Sequence, residues 1–122
     1  GFGIVAYDTD GKIVGNLLVK YPGLTNENLG HDVSLPTEEL NKVLHMDSAT
    51  VLPEHRGHGL EAKMISYAES LIDTSKYCYS FATVAPENLA SLKSLERNGY
   101  EVMVTKEKYF GFIRCVMMKL LT

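Results

Sequence analysis

The sequence of residues 51–60 is VLPEHRGHGL, a loop with one proline and two glycines between a predicted strand and a predicted helix. The strand is predicted over residues 43–51. The helix is predicted over residues 60–73, because apolar side chains recur there at helical spacing. The first backbone N–H groups of such a helix have no intrahelical partner, and with the positive end of the helix dipole they attract anions. Gly57 and Gly59 allow close approach of the backbone, so the loop predicts a phosphate-bearing ligand.

A short Gly-x-Gly segment also occurs in ordinary tight turns and is a weak signal by itself. The P-loop pattern Gly-x-x-x-x-Gly-Lys-Ser/Thr does not occur, and the dinucleotide-binding pattern Gly-x-Gly-x-x-Gly fails at Ala62, where its third glycine would fall. His55 and His58 have metal-ligand character, but no cysteine is near them and the only acidic neighbours are Glu54 and Glu61. We therefore expect no bound metal.

The composition narrows the class of protein. The chain has 122 residues and a formal net charge of −3, with lysine and arginine scattered along it. Its length fits a single domain over residues 1–122, and without a basic face we expect no nucleic-acid partner. No run is long enough to cross a bilayer and no signal segment is recognisable, so we expect no membrane partner and a cytoplasmic monomer or homodimer. Cys78 and Cys115 lie in apolar, strand-like runs, which favours the interpretation that both are free thiols. A disulfide between them is the alternative.

Turn signals and residue alternation divide the rest of the chain. The predicted elements are strands over 4–7 and 12–19, a loop over 21–32, a short helix over 34–42 capped by Ser34, the strand over 43–51, the helix over 60–73, a strand over 77–84, a helix over 87–98 and strands over 100–105 and 112–120. Strands and helices alternate in the middle, which requires parallel pairing, whereas the hairpins are antiparallel. The fold class is therefore mixed α/β.

A second motif lies in the later part of the chain, where Asn88 opens a helix that ends on Asn98-Gly99-Tyr100. Together with the loop, which reads Val-x-Pro-x-x-Arg-Gly-x-Gly, it resembles the GNAT superfamily of acyl-CoA-dependent N-acyltransferases. The likeness spans essentially the whole chain, from that family's second strand to its last. It implies a GNAT-like mixed, mostly antiparallel twisted sheet flanked by helices, with a splayed central pair of parallel strands. Because family members usually begin with one more strand and one or two helices, we expect the chain to be incomplete at its N-terminus.

The resemblance implies acetyl-CoA as cosubstrate. A splayed strand end would pair with the amides of the pantetheine arm, and backbone N–H groups of the loop would hold the diphosphate. The cofactor-binding residues implied in this way are Ala49, Val51, Arg56, Gly57, His58, Gly59, Leu60, Glu61 and Asn88. Many family members have Gly or Ala at the position of Glu61, so we expect this carboxylate to point outward, away from a diphosphate.

Two residues are candidate proton acceptors. An alkyl amine has a pKa of about 10.4, so it must lose a proton before it can attack a thioester near neutral pH. His45 and Asp47 precede Val51 by an even number of positions, and strand alternation would place them on the same face as Ala49 and Val51. Family members often carry Glu or His there. His45 has the better intrinsic pKa, about 6.5, and Asp47 would act after burial or through water; either could instead be a structural partner in the core.

The implied activity is transfer of an acetyl group from acetyl-CoA to a primary amine through a tetrahedral intermediate, whose oxyanion the Val51 N–H would meet. Leu95 stands where many members carry a tyrosine acid, which leaves Ser94, Tyr100 or water as proton sources. The alternative is a non-catalytic acyl-CoA-binding domain, regulatory or degenerate, which Leu95 favours and the two proton acceptors disfavour. The acceptor would be a small-molecule, peptide or protein amine, and the acidic residues within segment 21–40 weakly favour a cationic one.

Overall fold

The computed structural model describes residues 1–121, which fold around a six-stranded mixed sheet. The strands are β1 (Phe2–Tyr7), β2 (Ile13–Lys20), β3 (Val43–Val51), β4 (Tyr79–Val84), β5 (Glu101–Lys108) and β6 (Phe112–Leu120). Their spatial order is β1-β2-β3-β4-β6-β5, and all neighbours are antiparallel except β3 and β4. The helices are α1 (Leu60–Ser70) and α2 (Leu89–Arg97), with short 3-10 helices at Leu29–Val33, Thr37–Lys42 and Pro53–His55. The predicted mixed α/β, mostly antiparallel fold is confirmed.

The central parallel strands diverge soon after they begin. β3 and β4 are in register over three pairs, of which His45–Phe81 is the last. β3 then continues to Val51 beside β2, whereas β4 continues to Val84 beside β6. The carboxyl ends of the two strands are therefore separated by a gap, and the predicted splayed pair is confirmed.

The two faces of the sheet bury separate apolar clusters. The larger cluster lies beneath α1 and α2 and contains Leu17, Leu44, Met64, Ile65, Leu95 and Met117 among others. The smaller cluster, on the side of the first two 3-10 helices, consists of Leu29, Val43, Phe81 and Val116. Consecutive residues of a strand, such as Val43 and Leu44, belong to different clusters, as expected for side chains that alternate between faces.

A buried asparagine orders the connection between β2 and β3. Asn28 donates hydrogen bonds from Nδ2 to the carbonyl oxygens of Gly23 at 2.7 Å and Leu40 at 2.9 Å, and its Oδ1 accepts one from the Gly30 N–H at 2.8 Å. The side chain thereby satisfies three backbone groups that the loop would otherwise bury without partners. These bonds hold the first two 3-10 helices against the sheet.

The helix predicted over residues 34–42 is wrong in its type and its start. The segment contains a 3-10 helix, Thr37–Lys42, and a further one, Leu29–Val33, precedes it. Ser34 ends the first with a φ of 59° and does not cap the second. Pro36 explains the break, since the residue before a proline is disfavoured in the α-helical region.

Strand β3 contains a bulge at Asp47. Leu18 of β2 lies opposite Ser48, and the next residue, Val19, lies opposite Met46, which leaves Asp47 without a partner. An extra residue of this kind reverses the alternation of side chains along the strand. Residues before the bulge therefore face the opposite side from the one that an unbroken period of two predicts.

The bulge places His45 on the other face of the sheet from Ala49 and Val51. Ala49 and Val51 pack on the cluster beneath the two α-helices. His45 lies on the side of the 3-10 helices, where its Nε2 accepts a hydrogen bond from the Leu29 backbone N–H at 3.0 Å. The prediction that His45 shares a face with Ala49 and Val51 is therefore wrong.

Burial changes the titration of His45. The residue is 6% exposed, and its desolvation lowers the pKa from 6.5 to about 4, although the negative charge of Asp47 opposes this shift. The imidazole is therefore neutral near pH 7. Because Nε2 is the acceptor for the Leu29 N–H, the single proton of the neutral ring lies on Nδ1.

We predict that His45 destabilises the fold as the pH falls below 6.5. Between pH 6.5 and about 4 the unfolded chain binds a proton at His45 and the folded chain does not, so the free energy of unfolding rises with pH in this window. The contribution is complete above pH 6.5 and is lost toward pH 4, by up to about 3 kcal/mol. Urea unfolding from pH 7.5 to pH 4.5 should show that the free energy of unfolding falls more steeply with decreasing pH in the wild-type protein than in His45→Gln.

The exposed His31 provides the matched control. The variant His31→Gln removes an imidazole from the surface, so the effect of the buried ring is the difference between the pH dependences of His45→Gln and His31→Gln. A difference between wild type and His45→Gln that does not change with pH would contradict the prediction.

Candidate functional site

A cleft of about 720 Å³ opens between the end of β3, the loop over residues 52–59, here named the glycine loop, and α2. All but one of the residues predicted to bind a cofactor line it, namely Ala49, Val51, Arg56, Gly57, Gly59, Leu60, Glu61 and Asn88. The exception is His58. The cleft therefore brings together, from three separate elements, positions that the sequence assigned to one ligand.

The glycine loop offers backbone donors to this cleft. Gly57 and Gly59 have φ of 82° and 77°, in the left-handed region that glycine occupies without strain. A Cβ atom at either position would meet nothing within 4 Å, so the backbone is open to a ligand there. The first hydrogen bond of α1 runs from the Lys63 N–H to the Gly59 carbonyl at 3.0 Å. The N–H groups of residues 60–62 therefore have no acceptor within residues 1–121 and can bind an anion.

Positive side chains surround the same cleft. Arg56 lies on the glycine loop, and its Nε donates a hydrogen bond to the Val51 carbonyl at 2.9 Å, which ties the loop to the end of β3. Lys93 and Arg97 line the cleft from α2. Sequence reasoning missed these two residues, because their i,i+4 spacing shows that they share a helix face and not which way that face points. The three cations complement a phosphate-bearing ligand.

The edge of β3 that faces the gap has free backbone groups. The Leu52 N–H donates to the Val14 carbonyl of the β1–β2 hairpin at 2.9 Å. Successive N–H groups of a strand point to opposite sides. The N–H groups of Val51 and Ala49 therefore point toward the gap, where β4 no longer pairs with β3.

A second cavity, of about 240 Å³, occupies the gap between β3 and β4. Its walls include Asp47 and Ser48 from β3, Thr83 and Val84 from β4, Leu95 from α2 and Arg114 from β6. Ala49, Glu61, Asn88 and Ser91 line both this inner cavity and the outer cleft. These four residues, here named the neck, lie at the boundary between the two spaces.

Glu61 points into the neck, and the prediction that it points outward is wrong. Its carboxylate accepts a hydrogen bond from Ser91 Oγ at 2.8 Å. Asn88 accepts a bond from the Ser91 backbone N–H at 3.2 Å and so caps the start of α2. Ser91 lies far from Glu61 in the sequence, so the partner that turns the carboxylate inward could not be seen before the helices were placed together.

The two candidate proton acceptors lie in different places. Asp47, at the bulge, lines the inner cavity. His45 does not line it, and the lone pair on its Nε2 is already used by the Leu29 N–H. Asp47 is therefore the candidate that can contact a molecule in the gap.

The position of the usual tyrosine, Leu95, and the two candidate proton donors, Ser94 and Tyr100, lie in three different places. Leu95 is 3% exposed and forms part of the inner cavity wall. Tyr100 lines neither cavity, since its hydroxyl is hydrogen-bonded to Ser80 Oγ at 2.6 Å and to the Glu69 carboxylate at 2.8 Å. Desolvation raises the pKa of Tyr100 far above its usual value, Ser80 opposes the rise and Glu69 adds to it. Ser94 lines the outer cleft.

Acidic residues of the segment before β3 are already neutralised. Asp32 forms ion pairs with Lys106 and Lys108 of β5, each at 2.8 Å. Burial alone would raise the pKa of Asp32, but the hydrogen bonds from the two lysines keep it below its usual value. Glu27 forms an ion pair with Lys20 at 3.3 Å. The basis for expecting a cationic acceptor from these residues is therefore removed.

Other features of the described chain bear on the classes considered above. Cys78 and Cys115 are both free thiols. Within residues 1–121, His, Cys, Asp and Glu side chains form no group of three or more that could hold a metal ion. None of the helices there has the length and apolar character needed to span a bilayer.

Residues 1–100 match the family model of the acetyltransferase (GNAT) family. No curated protein sequence matches the chain significantly. Solved structures share its fold. For Naa20 of Chaetomium thermophilum in complex with a bisubstrate analogue, the TM-score is 0.71 and the identity is 22%. The alignment covers 96% of this chain and 64% of that protein. For the ribosomal-protein-S5-alanine acetyltransferase from Vibrio fischeri, the TM-score is 0.75 and the identity is 16%. The alignment covers 98% of this chain and 61% of that protein.

A phosphinothricin acetyltransferase from Sinorhizobium meliloti, in complex with AcCoA, has a TM-score of 0.71 and 16% identity and covers 98% of this chain and 60% of its own. The chain thus spans less than two-thirds of the length of these structures. At such identities the likeness shows the fold. The family model matches most of the sequence, and the chain therefore belongs to the GNAT acetyltransferase family.

Proposed function

We propose that this chain carries the catalytic site of an N-acetyltransferase, which moves an acetyl group from acetyl-CoA to a primary amine. The observation that supports this most is that a cleft lined by cations adjoins, at the neck, a cavity whose wall contains a carboxylate. A diphosphate fits the cleft and a reacting thioester fits the cavity. The acceptor is a small-molecule, peptide or protein amine, and the two free thiols favour a reducing location such as the cytoplasm.

Acetyl-CoA would be held mainly by the backbone. The N–H groups of the glycine loop and of residues 60–62 would bind the diphosphate, and Arg56, Lys93 and Arg97 would add positive charge around it. The free edge of β3 at Ala49 and Val51 would hydrogen-bond the pantetheine amides as a neighbouring strand would. The full set proposed to contact acetyl-CoA is Ala49, Val51, Arg56, Gly57, His58, Gly59, Leu60, Glu61 and Asn88, with the two cations of α2 added.

Asp47 is the proposed proton acceptor, acting directly or through a water molecule. It faces the inner cavity, whereas His45 is assigned a structural role because its acceptor nitrogen is occupied and its pKa is lowered to about 4. Asp47 takes a proton from the ammonium group, and the free amine attacks the thioester carbonyl. The Val51 N–H, which points toward the gap, would stabilise the oxyanion of the tetrahedral intermediate.

Collapse of the intermediate breaks the carbon–sulfur bond and releases coenzyme A. A thiol has a reference pKa of about 8.5, so a thiolate is a fair leaving group near neutral pH without a dedicated acid. We propose that a water molecule passes the second proton of the attacking nitrogen to the thiolate, which leaves the neutral amide and the free thiol, because Leu95 supplies no proton in the inner cavity and Tyr100 is held in the core. Ser94, on the outer cleft, is the remaining protein hydroxyl among the candidates.

The second candidate function is a domain that binds acyl-CoA without catalysis. The specific observation in its favour is the apolar Leu95 at the position of the usual tyrosine, in the wall of the inner cavity. It predicts that acetyl-CoA binds and that no thiol is released with any amine. The carboxylate of Asp47 in the same cavity favours the enzyme, since a binding domain needs no proton acceptor there.

Replacing Gly59 with valine should abolish the binding of acetyl-CoA. At a hundredfold excess over its Kd, acetyl-CoA should stabilise the wild-type protein by about 2.7 kcal/mol, which is measurable as a rise in Tm. A valine side chain would occupy the open space in front of the first N–H groups of α1 and block approach of the diphosphate.

Gly11 provides the matched control, because its φ of 82° is close to the 77° of Gly59 and an added Cβ there also meets nothing within 4 Å. It lies in the turn between β1 and β2 and does not line the cleft. Gly11→Val and Gly59→Val should lose intrinsic stability to a similar extent, and only Gly59→Val should lose the ligand-induced rise. Equal rises in both variants would show that the glycine loop does not bind the ligand.

Replacing Asp47 with asparagine should lower kcat roughly a hundredfold or more and leave the Kd of acetyl-CoA nearly unchanged. The lost rate should partly return at higher pH, where more of the amine is already deprotonated. Release of coenzyme A thiol with a panel of amines, measured from pH 6.5 to pH 9.5, checks this. Asp10→Asn, in the exposed β1–β2 turn, is the control for a lost carboxylate, and full activity of Asp47→Asn at neutral pH would show that another group accepts the proton.

A further inference from the structure

Arg114 of β6 reaches into the wall of the inner cavity and is not neutralised there. It lines the cavity, and its Nη2 donates to the Thr83 carbonyl at 3.0 Å and to Thr83 Oγ1 at 3.4 Å. Its Nε is buried and has no hydrogen-bond partner within residues 1–121. None of the ion pairs formed by the described residues includes Arg114. A buried Nε–H without an acceptor is costly unless a further partner satisfies it.

Part of the role of Arg114 is to support the divergence of the strands. β3 pairs with β4 only as far as Phe81, so the Thr83 carbonyl receives no hydrogen bond from β3. The Nη2 of Arg114 replaces that donor. A neutral amide would be enough for this bond. The ring of Tyr109, whose centroid lies 6.0 Å from Cζ of Arg114, partly offsets the positive charge. The buried Nε–H has no such partner.

The nearby charges show what this cation can attract. Lys106, opposite Arg114 in the β5–β6 pairing, is already paired with Asp32. Glu61 is at the neck and accepts a hydrogen bond from Ser91. Asp47 lies on the opposite wall of the cavity, on β3, whereas Arg114 comes from β6. The inner cavity therefore has a carboxylate on one wall and a guanidinium on the other.

We propose that Arg114 binds a carboxylate of the acceptor, and that the acceptor is a small amine that carries one, such as a free α-amino acid. Its ammonium group would lie toward Asp47 and its carboxylate toward Arg114, which matches the two walls. Arginine is suited to this task because its planar fork binds a carboxylate through two hydrogen bonds. The volume of about 240 Å³ suits a small acceptor. This inference rests on the acetyl transfer proposed above and specifies its substrate class.

The experiment compares amino acids with their uncharged amides, for example L-alanine with L-alaninamide and L-methionine with L-methioninamide, by release of coenzyme A thiol from acetyl-CoA. The readout is the ratio of kcat/KM for acid over amide in each protein variant. The two amines differ in basicity, but that difference is the same for every variant and cancels in the comparison. The wild-type protein should prefer at least one acid over its amide.

Arg114→Gln keeps a donor for Thr83 and removes the charge. It should lower the acid-to-amide ratio by about tenfold to a hundredfold, mainly through a higher KM for the acid, while the Kd of acetyl-CoA stays unchanged. Arg114→Lys should give an intermediate ratio, because it keeps the charge without the fork. The matched control is Lys106→Gln, which removes a neighbouring charge outside the cavity and should leave the ratio unchanged. An equal loss for acids and amides in Arg114→Gln would reduce Arg114 to a structural support and overturn the proposal.

Direct binding separates this inference from the transferase proposal. Isothermal titration of the same amino acids and amides is carried out in the presence of coenzyme A. If the wild-type protein releases no thiol but binds amino acids, and Arg114→Gln weakens that binding at least tenfold, the carboxylate site stands and the transferase proposal fails. If the wild-type protein neither binds nor acetylates any acid in preference to its amide, or prefers peptides without a carboxylate near the amine, the inference is overturned.

Discussion

β3 and β4 remain paired for three residue pairs and then follow different neighbours, β3 with β2 and β4 with β6. The inner cavity, the free edge of β3 and the neck beside α2 all result from this divergence. Two arginine side chains satisfy carbonyl groups that this divergence leaves without a strand partner. Arg56 bonds the Val51 carbonyl at the end of β3, and Arg114 bonds the Thr83 carbonyl of β4. A sheet with ordinary pairing at this point would have no space for a ligand.

The charges differ between the outer cleft and the inner cavity. The outer cleft has Arg56, Lys93 and Arg97 around it, together with the unpaired N–H groups at the start of α1. The inner cavity has Asp47 and Arg114 on opposite walls. A ligand with a phosphate end and a neutral reactive end is oriented by such a distribution, since three cations and the unpaired N–H groups meet the phosphates at the mouth. In the proposed reaction, this orientation would place a thioester beside Asp47 without contacts to the acyl group itself.

The features predictable from the sequence were those encoded in contiguous residues. The glycine loop, the helix after it and the helix from Asn88 to the glycine at its end were visible because turn glycines and capping residues act over a few positions. The bulge at Asp47 was not visible, because it depends on the register of β3 against β2. Glu61 was misjudged because its partner, Ser91, lies on another helix. Arg114 did have a local signal, since it is the single charge in the apolar run 112–118, and a charged side chain within a sheet needs a partner.

The free edge of β3 gives the middle of the sheet a property that normally belongs to its margins. Unpaired N–H groups at a margin accept any extended chain, and proteins block this with charges, short strands or a covering element. Here the unpaired groups at Ala49 and Val51 line cavities whose other walls come from α2 and β4. A polypeptide strand carries side chains on both faces and needs room above and below the sheet plane. A free strand edge inside the sheet is therefore less accessible to a strand of a second protein than a free edge at the margin.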